Sequence, residues 1–215
     1  MSVAVNLSKG GVVDLNKNAP GLSRVRAGLG WDPSTVNGES VDLDLSAFLL
    51  ASNGKVGSDG DFVFYNNEWS TDKSVQKSPD SRGGEESDGG DDESMPLDLS
   101  KVSTSVQRIA IVATIDQAQE RGHKLSDAKN SYIRIVDHSN CRNCEANSFW
   151  NQPGRPTCEQ GLEILRYDLS GDFSKNDAVI FGEFSRTGSG WEFKAIGEGR
   201  TGGLLALCKE YGVNV

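Results

Sequence analysis

Short hydrophobic runs alternate with turn residues along most of the chain, and this pattern predicts many strands and few helices. In the segment 41–46, Val41, Leu43 and Leu45 alternate with polar residues, which is the period of a half-buried strand. The run 106–115 is rich in β-branched residues and predicts a central strand. Further strands are predicted at 3–7, 12–15, 22–29, 61–65, 132–136, 162–167, 178–184 and 191–196.

Two helical segments are predicted, a short one at 116–124 and a C-terminal one that starts near Thr201. Strands that follow one another without long intervening helices are typical of a β-sandwich. We therefore expect a mainly β protein, a β-sandwich of two antiparallel-type sheets with one or two short helices. His123 is expected at the surface, whereas Trp31, Trp191 and Cys208 are expected in the core.

The strand pattern disappears between Ser70 and Ser94, where Ser, Gly, Asp and Glu dominate. A stretch of this length is uncommon as plain loop in a compact domain. It either separates two domains, or something other than hydrophobic burial orders it. The charge distribution singles out the same region, because segment 32–98 holds 16 acidic and 4 basic residues, whereas all 215 residues together have a net charge of -9.

The negative charge argues against binding to nucleic acid, because neutralising phosphates requires a basic surface. The N-terminal residues lack the basic and hydrophobic regions of a secretory leader. No hydrophobic run approaches the ~20 residues that span a bilayer. We therefore expect a cytoplasmic protein that does not bind nucleic acid and does not insert directly into a membrane.

The acidic region contains the kinds of side chain that bind calcium. Calcium takes about six to eight oxygen ligands from carboxylates, amides and main-chain carbonyls. Asp42 and Asp44 lie on one face of a predicted strand, about 7 Å apart, where their charges repel unless a cation is near. The other candidates are Asn66, Asn67, Asp80, Asp91, Asp92 and Glu93. From the residues alone, two interpretations stay open, a calcium site that orders the acidic stretch and an acidic loop that is only solvated.

Motifs along nearly the whole chain occur in a familiar order. They include the opening 3–11, Gly28-Leu29-Gly30-Trp31-Asp32, the strand 41–50, the segment 58–67, Gly90-Asp91-Asp92-Glu93, and the later segments 132–137, 166–170, 191–197 and 202–213. Together they resemble the TerD family, the tellurium-resistance and general-stress proteins of bacteria. The resemblance implies one TerD-like domain over residues 1–215, folded as a β-sandwich.

The resemblance also implies calcium binding, and a role in resistance to tellurite and other stresses without established catalysis. The metal role is carried onto the residues that match the acidic motifs: Asp42, Asp44, Asn66, Asn67, Asp80, Asp91, Asp92 and Glu93. From the number of acidic clusters we expect two calcium ions. We expect a non-catalytic binding module whose partners are other stress-resistance proteins, membrane-associated complexes among them.

The segment 138–161 departs from the family pattern and is interpreted as a cysteine-containing loop insertion within the domain. Its Cys-x-x-Cys motif suits a tetrahedral zinc ion, for which the four candidate ligands are His138, Cys141, Cys144 and Cys158. A disulfide, a redox pair and unpaired thiols are the other interpretations of this loop.

Two alternatives to a calcium-binding module stay open. The acidic cluster would also suit a metal-dependent hydrolase. The Cys-x-x-Cys loop would suit a zinc or redox module that the sandwich only carries. The favoured interpretation is a protein that binds and is not an enzyme.

Overall fold

A computed structural model describes residues 4–78, 90–139, 161–169, 171 and 173–215. Up to Asp98 the described elements are β1 (Val5–Asn6), β2 (Val12–Asp14), α1 (Leu15–Asn18), β3 (Arg24–Asp32), β4 (Thr35–Val36), β5 (Glu39–Ser40), β6 (Leu43–Leu50), β7 (Phe62–Val63) and β8 (Glu93–Asp98). They are followed by β9 (Arg108–Ile115), α2 (Ala118–Arg121), β10 (Lys129–Asp137), β11 (Leu162–Asp168), β12 (Ala178–Thr187), β13 (Gly190–Arg200) and α3 (Gly203–Tyr211).

Two sheets form the sandwich. The first has five strands in the order β1-β11-β10-β3-β8, and the second has six in the order β2-β13-β12-β9-β6-β7. Neighbouring strands are antiparallel in both sheets except for β1 and β11, which are parallel. The small strands β4 and β5 pair separately. This architecture confirms the predicted mainly β fold with two antiparallel-type sheets and a C-terminal helix.

The main hydrophobic core lies between the sheets. In β6, Leu43 and Leu45 are buried in this core, so Asp44 faces the opposite side of the six-stranded sheet. Farther along the same strand, that outer side is covered by α3, where the Phe48 and Tyr211 rings lie 4.6 Å apart. Because both sides of the sheet are covered there, the second half of β6 is continuously hydrophobic and does not alternate.

The segment before β8 belongs to the folded domain, although its sequence lacks a hydrophobic pattern. Residues 74–78 are all buried, and they include Lys77. Gln76 donates its backbone N–H to Pro96, and Ser78 donates its own to Ser94, so this segment runs beside β8. Nothing in this described part of the acidic stretch separates two domains.

Of the predictions for individual side chains, three are confirmed and one is wrong. Trp31, Trp191 and Cys208 are buried, as predicted. The prediction that His123 lies at the surface is wrong, because its ring is fully buried and its Nε2 lies 3.4 Å from the carbonyl oxygen of Val36 beside the β4–β5 hairpin. Within the described residues, no helix is long and hydrophobic enough to cross a membrane.

Candidate functional site

The described residues on either side of segment 79–89 come together beside the start of β8. The backbone bond from Ser78 to Ser94 is accompanied by a contact of 2.8 Å between their hydroxyl oxygens. Residues 79–89 fall between these anchors and lie outside the described residues, as does the predicted ligand Asp80. The chain is described again from Gly90, and the carboxylates of Asp91, Asp92 and Glu93 follow directly; we call these three residues the acidic triplet.

Asp91 lies on the outer face of the five-stranded sheet. Its carboxylate sits directly over Gly28, where a β-carbon would come within 2.0 Å of Asp91 Oδ2. Arg134 binds both carboxylate oxygens, through Nε at 2.7 Å and Nη2 at 3.0 Å. The Tyr132 hydroxyl lies 3.3 Å from Oδ1 and donates to the carbonyl of Gly90. Burial raises the pKa of Asp91 above its ordinary value even though Arg134 acts to lower it.

Asp92 is held at the end of the pairing between β3 and β8. Its backbone N–H donates to the carbonyl of Leu29, and its Oδ2 accepts a hydrogen bond of 2.9 Å from the backbone N–H of Trp31. Only 3% of the residue is exposed. The Asp92 side chain thus accepts a hydrogen bond from the Trp31 backbone N–H, which lies beyond the end of the pairing between β3 and β8.

Glu93 points between the two sheets. It lies two residues before Met95, which is part of the inner core, and so faces the same way. One oxygen accepts from the backbone N–H of Leu45, in the other sheet, and the second accepts from the ammonium group of Lys77, both at 2.5 Å. Burial raises the pKa of Glu93 to about 8 against the lowering effect of Lys77, and the charge of Asp44 raises it further.

The other predicted calcium ligands lie in different surroundings. Asp42 and Asp44 are half-buried, and Asp44 lines a cleft of about 360 Å³ on the outer face of the six-stranded sheet, together with Asp116 and Glu120. Asn66 is exposed, whereas the side-chain nitrogen of Asn67 donates to the carbonyl of Phe62 at 2.6 Å.

The described ligand candidates are therefore not gathered into one cluster. Across the described ranges, no group of three or more His, Cys, Asp or Glu side chains has an arrangement that could hold a metal ion. The acidic triplet is contiguous in sequence, but its side chains point to an outer face, a strand end and the inner core. The pairing of Lys77 with Glu93 and of Arg134 with Asp91 was not predicted from the sequence, because no periodicity or motif connects these cations with the acids.

Of the predicted zinc ligands, only His138 is described. It is buried, and its backbone N–H donates to the carbonyl of Arg24. Burial lowers its pKa to about 4, helped by the charges of Arg26, Arg24 and Arg134, so the ring is neutral at pH 7, as a zinc ligand must be. Cys141, Cys144 and Cys158 lie outside the described residues, and zinc binding stays a prediction.

A family model for the TerD domain matches residues 3–150 and 157–211. The chain belongs to the TerD family. This family membership confirms the resemblance, and it places the chain among the tellurium-resistance and stress-response proteins.

Characterised relatives agree with the family model along the whole chain. Tellurium resistance protein TerD of Serratia marcescens is 42% identical over 212 residues, which cover 99% of each chain. General stress protein 16U of Bacillus subtilis is 39% identical over 214 residues, covering 99% of this chain and all of the relative. A TerD homologue of Streptomyces coelicolor, solved by crystallography, shares the fold with a TM-score of 0.63 at 22% identity, covering 87% of this chain and 95% of that one.

Proposed function

We propose that this TerD-family protein binds calcium and acts in the stress response by binding, not by turnover. The observation that carries the proposal is the acidic triplet, in which three consecutive carboxylates are buried beside the start of β8. Burying carboxylates is costly unless positive charge accompanies them. Calcium supplies two positive charges and prefers carboxylate oxygens.

The electrostatics of the triplet support a further cation. Burial raises the pKa of both Asp91 and Glu93, although Arg134 and Lys77 each contribute a positive charge. The ionised forms are thus still disfavoured, and a divalent ion beside them would stabilise these forms.

In this proposal Asp92 is the central ligand, and Asp91 and Glu93, whose side chains point to opposite faces of the sheet, contribute negative charge on either side of it. These side chains fit calcium in their chemistry but do not make a complete site, because the described residues include no group of three metal-binding acids. Oxygens from elsewhere in the chain or from water would have to complete the coordination. Segment 79–89, which lies outside the described residues, carries Asp80 and three further acids in its sequence.

Calorimetric titration of chelator-treated protein with calcium tests the proposal. We expect saturable binding and a rise in melting temperature, because an ion that binds only the folded protein stabilises it. Asp92→Asn should weaken binding by about tenfold or more, whereas Glu39→Gln, which removes an exposed carboxylate from β5, should not. The stoichiometry tests the expected two ions. If about 1 mM calcium produced neither heat nor a melting shift, the calcium proposal would fail.

We also propose that the protein works in the cytoplasm by contacting other stress-resistance proteins, including membrane-associated complexes. What supports this is membership of the TerD family, among whose members are relatives named for tellurium resistance and general stress. Affinity capture from cell extracts with and without calcium tests it. We expect a set of stress-resistance proteins that is retained only with calcium. An identical set under both conditions would contradict calcium-controlled binding.

A further inference from the structure

A second cleft, separate from the acidic triplet, lies on the outer face of the six-stranded sheet at the C-terminal end of α3. Its volume is about 530 Å³, within the range of clefts that hold small molecules. Ile180, Ile196 and Tyr211 form a hydrophobic floor, and Ile180 and Tyr211 are almost fully buried. We call this cleft the cationic cleft, because of the side chains around it.

The walls of the cationic cleft are held in place by backbone bonds. In the loop 51–55, Ala51 donates to the carbonyl of Lys55, while Val56 donates to the carbonyl of Tyr211 and ties the loop to α3. On the other side, the turn at Gly10 is bound to β13 through a hydrogen bond of 2.8 Å to the carbonyl of Ala195. The cleft is therefore formed before any ligand arrives, which lowers the entropic cost of binding.

Positive side chains outnumber negative ones in the cationic cleft. Five basic residues line it: Lys9, Lys55, Arg108, Lys194 and Arg200. Three carboxylates line it as well: Glu183, Glu198 and Glu210. The excess of two positive charges contrasts with the net charge of -9 for the whole protein.

The carboxylates are engaged mainly by the two arginines. Arg108 lies 3.2 Å from Glu183, and Arg200 binds both oxygens of Glu210 at 2.8 and 3.0 Å. Arg200 also lies 3.3 Å from Glu198. The ammonium group of Lys55 donates to the backbone carbonyl of Glu210.

Two lysines remain. Lys9 and Lys194 are both exposed in the cationic cleft, and neither has an ion pair or hydrogen bond from its ammonium group to any part of the chain that the structure describes. Lys194 projects from β13 beside Ile196, and Lys9 belongs to the turn that is bound to the same strand. They place two uncompensated positive charges at the rim of a hydrophobic floor.

We propose that the cationic cleft binds a small organic phosphate. A phosphate monoester carries about two negative charges at neutral pH and offers several strong acceptor oxygens, which matches Lys9 and Lys194. The hydrophobic floor gives the organic body a surface to pack against, which inorganic phosphate cannot use. This assignment does not depend on calcium binding.

Binding of adenosine monophosphate (AMP), followed by amide chemical shifts and by calorimetry, tests the proposal in the intact protein without calcium. We expect saturable binding, with shifts at Ile180, Lys194 and Tyr211 and none at Glu120 or Leu205, which line the other cleft, the one beside Asp44. Adenosine, which lacks the charge, and inorganic phosphate, which lacks the body, should each bind at least about tenfold more weakly.

Two double variants test whether AMP binding depends on the lysines of the cationic cleft or on the overall positive charge of the protein. Lys9→Gln combined with Lys194→Gln should weaken AMP binding by about tenfold or more. Lys101→Gln combined with Lys129→Gln removes the same charge elsewhere and should leave the affinity unchanged. The proposal is overturned if AMP does not bind saturably, if both double variants bind it equally well, or if adenosine binds as tightly as AMP.

Discussion

The acidic triplet and the cationic cleft use charge in opposite ways. In the triplet, Asp91, Asp92 and Glu93 are at most 3% exposed, and each accepts hydrogen bonds from distant parts of the chain. In the cationic cleft, Lys9 and Lys194 are exposed on walls that other bonds already hold in place. The carboxylates of the triplet are therefore part of the hydrogen bonding of the described fold, whereas the ammonium groups of those two lysines are not.

This difference shows why charge alone does not identify a binding site. The triplet is the more conspicuous feature in the sequence, yet among the described residues Lys77 already pairs with Glu93 and Arg134 with Asp91. A ligand at the triplet must act together with the fold, so binding and stability are coupled. The two free lysines of the cationic cleft hold no part of the fold that the structure describes, so their removal should change ligand binding without changing the stability of the free protein.

The largest effect is expected from Lys77→Met. This change leaves the buried Glu93 carboxylate without its ammonium partner, which costs about 3–5 kcal/mol of unfolding free energy. The loss should be greatest above a pH of about 8, where Glu93 ionises. Chemical denaturation in calcium-free buffer at several pH values measures it. The double variant Lys77→Met with Glu93→Leu should recover part of the loss, and no recovery would contradict a specific pair.

A smaller but clear loss is expected from Gly28→Ala. The new methyl group would meet the Asp91 carboxylate, which cannot move away easily because Arg134 holds it at 2.7 Å. We expect a destabilisation of about 1–3 kcal/mol. Gly188→Ala is the control, since a β-carbon there meets no atom within 4 Å. Equal melting temperatures for the two variants would show that Asp91 is not fixed over the sheet.

Asp72 is intermediate between the acidic triplet and the exposed lysines, because its carboxylate is held by uncharged hydrogen-bond donors. Burial acts to raise its pKa, but hydrogen bonds from Ser74, Ser103 and Ser70 outweigh this and lower the pKa. Its stabilising effect should therefore be complete above the unfolded pKa of about 3.8 and should disappear as pH falls through the lower folded value. Asp72→Asn should cost about 1 kcal/mol at neutral pH and less in acid. A pH-independent difference in denaturation midpoint would contradict this account.

The smallest effect on stability is expected in the cationic cleft. Lys9→Gln combined with Lys194→Gln should change the unfolding free energy by less than about 0.5 kcal/mol, because neither ammonium group has an ion pair or hydrogen bond to a described residue. Thermal melting of the variant without added anion measures this. A loss comparable to that of Gly28→Ala would mean that these lysines are part of the fold and would remove the contrast between the two regions.

The sequence predicted best where hydrophobic alternation is regular. The segments 41–46 and 106–115 contain strands because one side of each packs into the core. Strand β8 was not predicted, since its inward positions begin with Glu93 and its outer positions include Pro96. The inward glutamate is satisfied by tertiary partners, the Lys77 ammonium group and the backbone N–H of Leu45, and no local pattern reveals such partners.

The acidic motifs located the triplet but did not predict its geometry. Alternation placed Asp44 on the face opposite the buried Leu43 and Leu45 correctly, because that rule depends only on the strand, whereas Asp42 lies just before β6. It could not show that Asp91 would meet Arg134 across the sheet, since that contact depends on the register between β3 and β10. His123 was misplaced for a similar reason, because the β4–β5 hairpin that covers it is distant in sequence.

The most direct test of the calcium account is anomalous diffraction from crystals grown with calcium. If calcium binds at the acidic triplet, an anomalous peak should lie within about 2.3–2.6 Å of a carboxylate oxygen of Asp92, with oxygen ligands around it. Calcium binding at the triplet is contradicted if, at saturating calcium, no peak lies against the acidic triplet, or if the only peak lies in the cleft between Asp44 and Asp116 on the outer face of the six-stranded sheet.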